Sequence, residues 1–185
     1  MQAARQILLF EGASALTMEA VAGKAGVSKA TLYSRFGNRN LLIEAVLRAQ
    51  SDFFVESFSG SVQNAAQAFA ALEAFSLRLL QYLFSEDHLW LMKTLQGHQD
   101  IPADLRERMY ELGPVATCIQ VEAWLAQVHQ HGLIHCPQPD FSAELLYGML
   151  VGMDMLRTLF QQAPKRKPAD LPGHVRTVVT LFLQL

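Results

Sequence analysis

The 185-residue chain has only two cysteines, Cys118 and Cys136, and no CxxC spacing. Two thiols cannot staple a fold of this size, so a reducing, cytoplasmic compartment is the expectation. No apolar run approaches the ~18 residues needed to cross a bilayer, and no membrane association is expected. The short run Ile7–Phe10 is ended by Glu11, with no small-residue cleavage site behind it, so no export signal is read there. Charge is sparse at 17%, yet 51% of residues are hydrophobic, which excludes a disordered tail protein and supplies a core. Eleven glycines and seven prolines are too few for a loop-rich β or fibrous protein. Catalytic and cofactor signatures are also missing: there is no GxSxG, GxGxxG, GxxxxGK[ST] or HExxH, and no carboxylate pair spaced for acid–base work. Neither an enzyme nor a bound cofactor is expected.

What is present is helical periodicity. Ile7, Leu8 and Phe10, then Leu41, Leu42, Ala45, Val46 and Ala49, repeat at three and four residues. Segments 66–84, 88–98, 114–131, 141–161 and 174–185 are long and apolar without strand-like alternation. Glycine and proline breaks, including Gly113-Pro114, divide the chain into about ten helices, an all-α fold. The first three helices are short and the later ones long. This predicts a small head over residues 1–48, joined through a helix starting near Arg39 to a larger bundle over 49–185. The net charge of −2 conceals a division. Residues 1–50 hold six basic and three acidic groups, a net +3, and the remainder hold nine basic and fourteen acidic groups, a net −5. A basic head on an acidic body is what a chain meeting phosphate only at its head would carry. The basic tract Pro164–Pro168 reads as a solvated connector.

The stretch 17–36 reads TMEAVAGKAGVSKATLYSRF. Thr17 can cap a helix through a free backbone N–H, and Glu19 suits the positive end of that helix. Gly26 supplies the positive φ of a tight turn, Val27 is expected to be a buried turn residue, and Ser28 caps a second helix. That helix turns Leu32 and Phe36 inward and exposes Lys29, Ala30, Thr31, Tyr33, Ser34 and Arg35. This is the layout of a helix-turn-helix, whose second helix can offer charge and hydroxyls to phosphate or base edges. A plain helical corner with a solvated face has the same spacing. On that reading the chain is a helical small-molecule carrier, an adaptor or an enzyme with an incidental basic corner.

GVSKATLYSRFGNRNLLIEAVL, with ILLFEGASALTMEAVAGKA before it, resembles the N-terminal signature of the TetR family of bacterial transcriptional regulators over residues 2–48. The resemblance implies a DNA-binding regulator, with Ser28, Lys29, Ala30, Thr31, Tyr33 and Ser34 facing a major groove and Thr17 on a backbone phosphate. Lys24, Arg35 and Arg39 would add salt-sensitive affinity. Arg39 stands where the family usually has lysine, Ser34 where histidine is frequent and Ala30 where glycine is common, so the preferred bases are left open. No basic leader precedes the first helix, and no minor-groove arm is expected. Two heads of a homodimer would reach successive major grooves of a palindromic operator, ~34–36 Å apart or a multiple of that.

The segment 88–134, with Pro102, MYELGP at 109–114 and Gly132-Leu133, is similar to C-terminal domains of the AefR-like branch of that family. It implies a bundle that binds a small inducer and dimerises, giving a repressor released by its ligand. Phe75, Trp90, Met92, Gln96, Tyr110, Cys118, Trp124, Met149 and Met153 are candidate pocket residues, since Met and aromatics suit flat or apolar ligands. Core filling explains the same residues. Polar Gln120, Asp154 and Arg157 sit within apolar segments, as ligand anchors or as surface groups. Gly148 and Gly152, four apart, would let helices of two subunits approach closely, and ordinary internal packing is the competing reading. His129, His131, His135 and Cys136 lie close in sequence, but Gly132 should end the helix between them, and no metal site is expected.

Overall fold

In the computed structural model the described residues are 1–12, 15–89, 92 and 103–184. Nine α-helices have both ends within them, and no strand occurs among them. The helices are α1 (Gln2–Phe10), α2 (Met18–Ala25), α3 (Lys29–Phe36), α4 (Arg39–Val55), α5 (Ala65–Leu83), α6 (Ala103–Tyr110), α7 (Ala116–Gln130), α8 (Pro139–Leu159) and α9 (Leu171–Phe182). Packing groups them into two compact units, Met1–Asp52 with Trp90–Val115, and Phe53–Leu89 with Ala116–Leu185. This grouping does not coincide with a division at 48/49. Leu105 and Met109 of α6 are buried in the core of the first unit, and Arg108 of α6 forms an ion pair with Glu44 of α4. Contacts between residues sixty apart leave no mark in local composition.

The core of the first unit is built from one buried triplet on each of three helices. α1 buries Ala4, Ile7 and Leu8, α2 buries Met18, Val21 and Ala22, and α4 buries Leu42, Ile43 and Val46. The first two triplets are i, i+3, i+4 and the third i, i+1, i+4, and each spacing places three side chains on one side of its helix. α3 buries only Leu32, with Phe36 half-buried beside it. α4 opens on Asn38, whose Oδ1 accepts the Leu41 N–H at 3.0 Å. It runs unbroken through Asp52 into the second unit.

In the second unit α7 packs on α8, and α9 packs on α5 and α8. The short turn Glu56–Phe58 inserts the Phe58 ring between Phe75 at 4.9 Å and Trp124 at 4.4 Å, both stacked. The expected break at Gly113-Pro114 is instead a π-helical turn, Glu111–Val115, that passes straight into α7. Proline cannot donate a helical hydrogen bond, and a widened turn absorbs that loss without ending the helix. α7 ends as expected near Gly132: Leu133 N–H donates to the Val128 carbonyl at 3.0 Å, and His129 Nδ1 faces the Cys136 N–H at 3.3 Å. His129 thus serves the helix end. No group of three His, Cys, Asp or Glu suited to a metal is found among the described residues. None of their helices is long and apolar enough to cross a membrane.

α8 departs from the continuous helix expected over 141–161. Gly152 has φ 47 and ψ −139, a kink only glycine adopts freely, and an added Cβ would lie 3.1 Å from the Arg166 guanidinium. Beyond the kink Asp154 is fully buried. Its carboxylate accepts from Arg157 at 2.6 Å, Arg166 at 2.7 Å, and the N–H groups of Lys165 at 2.8 Å and Arg166 at 3.3 Å. The tract 164–168 is therefore no free connector, because Arg166 turns inward to a buried acid.

Two consequences are measurable. Burial alone would raise the Asp154 carboxyl, but the bonds from Lys165, Arg157 and Arg166 outweigh it and hold the group below its ordinary 3.8. Its contribution is therefore present above about pH 4 and is lost as pH falls through the lowered value. Asp154→Ala should cost about 2–3 kcal/mol, at the low end for a broken buried pair because both arginines keep some solvent access. Urea titrations of wild type and variant at pH 7 measure this difference. The second group is His88, which packs its ring on Tyr82 at 4.6 Å and leaves Nδ1 buried without a partner. Burial pushes its imidazole down from 6.5 to about 4. The unfolded chain then takes up the proton first, so stability should fall from about pH 6.5 to about pH 4, by about 2–4 kcal/mol, and level off below. His88→Phe should flatten that part of the profile in melts run across the same pH range.

Candidate nucleic-acid interface

Two short helices and the turn between them build the surface. α2 begins at Thr17, whose Oγ1 accepts the Ala20 N–H at 3.1 Å. It ends at Gly26 with φ 66, where Gly26 N–H donates to Gly23 at 3.3 Å and Val27 N–H to Ala22 at 3.1 Å. These bonds satisfy the last carbonyls of α2 and swing the chain into α3. Ser28 then caps α3: its Oγ accepts the Thr31 N–H at 3.0 Å and lies 2.8 Å from the Thr31 hydroxyl. Val27 corrects the expectation of a buried turn residue, because it is 42% exposed. The turn is fixed by backbone bonds and needs no apolar anchor there.

With Leu32 and Phe36 taking the inward stripe, Lys29, Ala30, Thr31, Tyr33, Ser34 and Arg35 are all exposed, as is Ser28 before them. Lys29 lies in the first turn of α3, where a positive charge opposes the helix dipole. The carboxylate of Glu19 stands 3.0 Å from its ammonium, and Lys29 holds the Glu19 carboxyl below its ordinary 4.5. Lys24 pairs with Glu11 at 2.7 Å. The Arg35 guanidinium lies over the Phe36 ring, 5.5 Å from its centroid. Arg39 is half-buried, and its Nε donates to the Leu16 carbonyl at 2.6 Å. It thus ties the start of α4 to the residue before the Thr17 cap, a structural task beyond the charge read from sequence. The Glu11–Lys24 pair, thirteen residues apart, has no local signal. Glu19 and Lys29 could have been matched once the two helices were placed against each other.

The residues expected to line a pocket are dispersed. Phe75 and Trp124 are closed into the ring stack of the second unit. Cys118 and Met149 are half-buried against the same core. Burial and the neighbouring Glu122 push the Cys118 thiol up, away from thiolate reactivity. Met153 is 58% exposed and Tyr110 64% exposed, so neither fills a core. Tyr110 and the half-buried Met92 belong to the first unit. Trp90 and Gln96 lie outside the described residues. Asp154 and Arg157 are explained by the network beyond the α8 kink. Gly148 is exposed, and at Gly152 the kink and Arg166 account for the glycine.

Comparison with known proteins agrees with this architecture. The model of bacterial regulatory proteins of the tetR family matches residues 1–46, and that of the AefR-like transcriptional repressor C-terminal domain matches residues 70–185. Among solved structures, one described as a TetR-family transcriptional regulator from Mesorhizobium loti is 26% identical, with TM-score 0.72, over 99% of this chain and 92% of that one. The flavonoid-responsive regulator FrrA is 22% identical with TM-score 0.67, over 99% of this chain and 92% of that one. FadR of Bacillus subtilis, in complex with stearoyl-CoA, is 16% identical with TM-score 0.61, over 98% and 95%. The last two share the fold. No curated protein matches by sequence. The two matching families are of transcriptional regulators, not enzymes. The chain belongs to the TetR family of bacterial transcriptional regulators, with a C-terminal domain of the AefR-like type.

Proposed function

We propose that the chain is a cytoplasmic, homodimeric repressor that binds a palindromic operator and is released by a small, largely apolar or aromatic inducer. Residues 1–48 would serve DNA, and 49–185 the inducer and the second subunit. The observation that carries the reading is the exposed outer face of α3, held by a cap at Ser28 and one inward stripe. Thr17, Ser28, Thr31, Tyr33 and Ser34 offer hydroxyls, Ala30 permits close approach, and Lys24, Lys29 and Arg35 carry charge toward phosphate. Arg39 supports the Thr17 cap from behind.

The homodimer reading draws on α8, where Phe141, Tyr147, Met153, Leu156 and Leu159 are exposed, on Phe160 just after it, and on the exposed Ile119 of α7. A stable pair would bury about 1,200–2,000 Å² in total, and this many exposed apolar side chains can supply apolar area to it. Gly148 lies on the same helix and lets a partner approach. For the inducer, two regulators of the same fold point to apolar or aromatic groups: FadR is in complex with stearoyl-CoA, which has a long acyl chain, and FrrA is described as flavonoid-responsive. Release requires only that the inducer bind one arrangement of the two heads better than the other.

DNA fragments from upstream of the chain's own gene, titrated by electrophoretic mobility, test the reading. Specific retardation is expected at about 150 mM salt, where phosphate-only binding is already weak. Tyr33→Ala and Lys29→Ala should each weaken it by about tenfold or more if they meet base edges or phosphate in register. Retardation that both variants leave intact, or none at all by the wild type, would sink the proposal. Sedimentation should find a dimer, and Leu156→Glu should yield monomers.

A further inference from the structure

All three carboxylates in the first 50 residues are already paired with a cation: Glu11 with Lys24, Glu19 with Lys29, and Glu44 with Arg108. Two of those cations are ones the reading above assigns to DNA. Both lysine pairs lie at the surface, with every side chain more than a third exposed, so water and salt compete with them and neither is needed to hold the fold. Because Lys29 holds the Glu19 carboxyl below its usual range, the pair is ionised at neutral pH. At 3.0 Å, Glu19 Oε1 takes the position on the ammonium that a phosphate oxygen would take.

We propose that Glu19, and Glu11 in parallel, is an intramolecular competitor for DNA phosphate. The carboxylate holds the lysine in the free protein, the phosphate displaces it on binding, and the acid is left unpaired beside a polyanion. The inference rests on the DNA-binding reading above and adds two residues that make no contact with DNA themselves. It has two electrostatic consequences. Affinity is reduced by the pair that must be broken and by the repulsion left behind. The dependence on salt is also shallower than the lysines alone would give, because each nearby carboxylate offsets part of the counterion release. Within the net +3 of residues 1–50, Glu11 and Glu19 already cancel Lys24 and Lys29, so these two lysines are held in reserve until a stronger anion displaces their partners.

A random-sequence 30-base-pair duplex is the probe, followed by fluorescence anisotropy between 50 and 200 mM NaCl, so no operator need be known. Glu19→Gln should bind about threefold tighter at the lowest salt, with a slope of log K against log salt steeper by up to ~0.9. Glu11→Gln, the independent second pair, should shift in the same direction. A double-mutant cycle isolates the competition: the gain from Glu19→Gln must be larger with Lys29 present than in the Lys29→Met background. Equal gains in both backgrounds would reduce Glu19 to bulk charge and overturn the proposal. Weaker binding by Glu19→Gln would mean the acid positions the lysine for DNA, and overturns it as well. A wild type with no salt-dependent binding to the duplex would instead remove the DNA-binding reading itself, a distinct result.

Discussion

An eight-residue helix has room for one buried stripe, and α3 spends it on Leu32 and Phe36. Helices shorter than ~12–15 residues are marginal in water by themselves. The existence of α3 therefore depends on what surrounds it: the Ser28 cap at one end, the Gly26 turn that delivers the chain, and the Leu32 anchor against the triplets of α1, α2 and α4. Every other α3 side chain is left outside because nothing remains to bury it. The surface available for recognition is thus the remainder of a packing constraint, and its chemistry was free to vary without harm to the fold.

Charge follows the same economy of partners. In the first unit the acids Glu11, Glu19 and Glu44 each face a base across a loop or between helices. In the second, the buried Asp154 gathers Arg157, Arg166 and two backbone N–H groups, and that network draws the basic tract 164–168 inward. The two situations differ in solvent. The lysine pairs of the first unit sit in water, where they exchange partners at little cost. The Asp154 carboxylate is sealed, where losing a partner strands a charge. One set of pairs is suited to being displaced and the other to holding a kink at Gly152 in place.

What could be read from sequence was what is local. Thr17 and Ser28 as caps, Gly26 as a left-handed turn and Leu32 as an inward residue depend on neighbours within four positions, and all four stand as expected. Val27 departs from its local pattern: an apolar residue in a turn suggests burial, but this turn is closed by main-chain bonds and leaves Val27 exposed. The Arg39–Leu16 bond, the Glu11–Lys24 pair and the placement of α6 with the first unit join residues 13 to about 60 apart, and a single sequence carries no register for such contacts. Gly152 shows the ambiguity of glycine itself: small size and positive φ use the same residue, and only the backbone tells them apart.

Two of the chain's passages from one unit to the other are described, and they differ in helical form for a physical reason. α4 crosses at Asp52/Phe53 as uninterrupted α-helix. Its far end is clamped by Arg78, which donates to the Phe53 carbonyl at 3.2 Å, pairs with Glu56 at 3.0 Å and lies over the Phe53 ring, 5.2 Å from its centroid. The other passage is the π-helical turn Glu111–Val115, where Pro114 has no N–H to give. A proline inside a helix removes one hydrogen-bond donor, and the π-helical turn is the local form in which the chain accommodates it. α4 also carries Arg39 at its opposite end, bonded to the carbonyl next to Thr17. A single 17-residue helix thus has an arginine bond near each end, from Arg39 to the Leu16 carbonyl within the first unit and from Arg78 to the Phe53 carbonyl within the second.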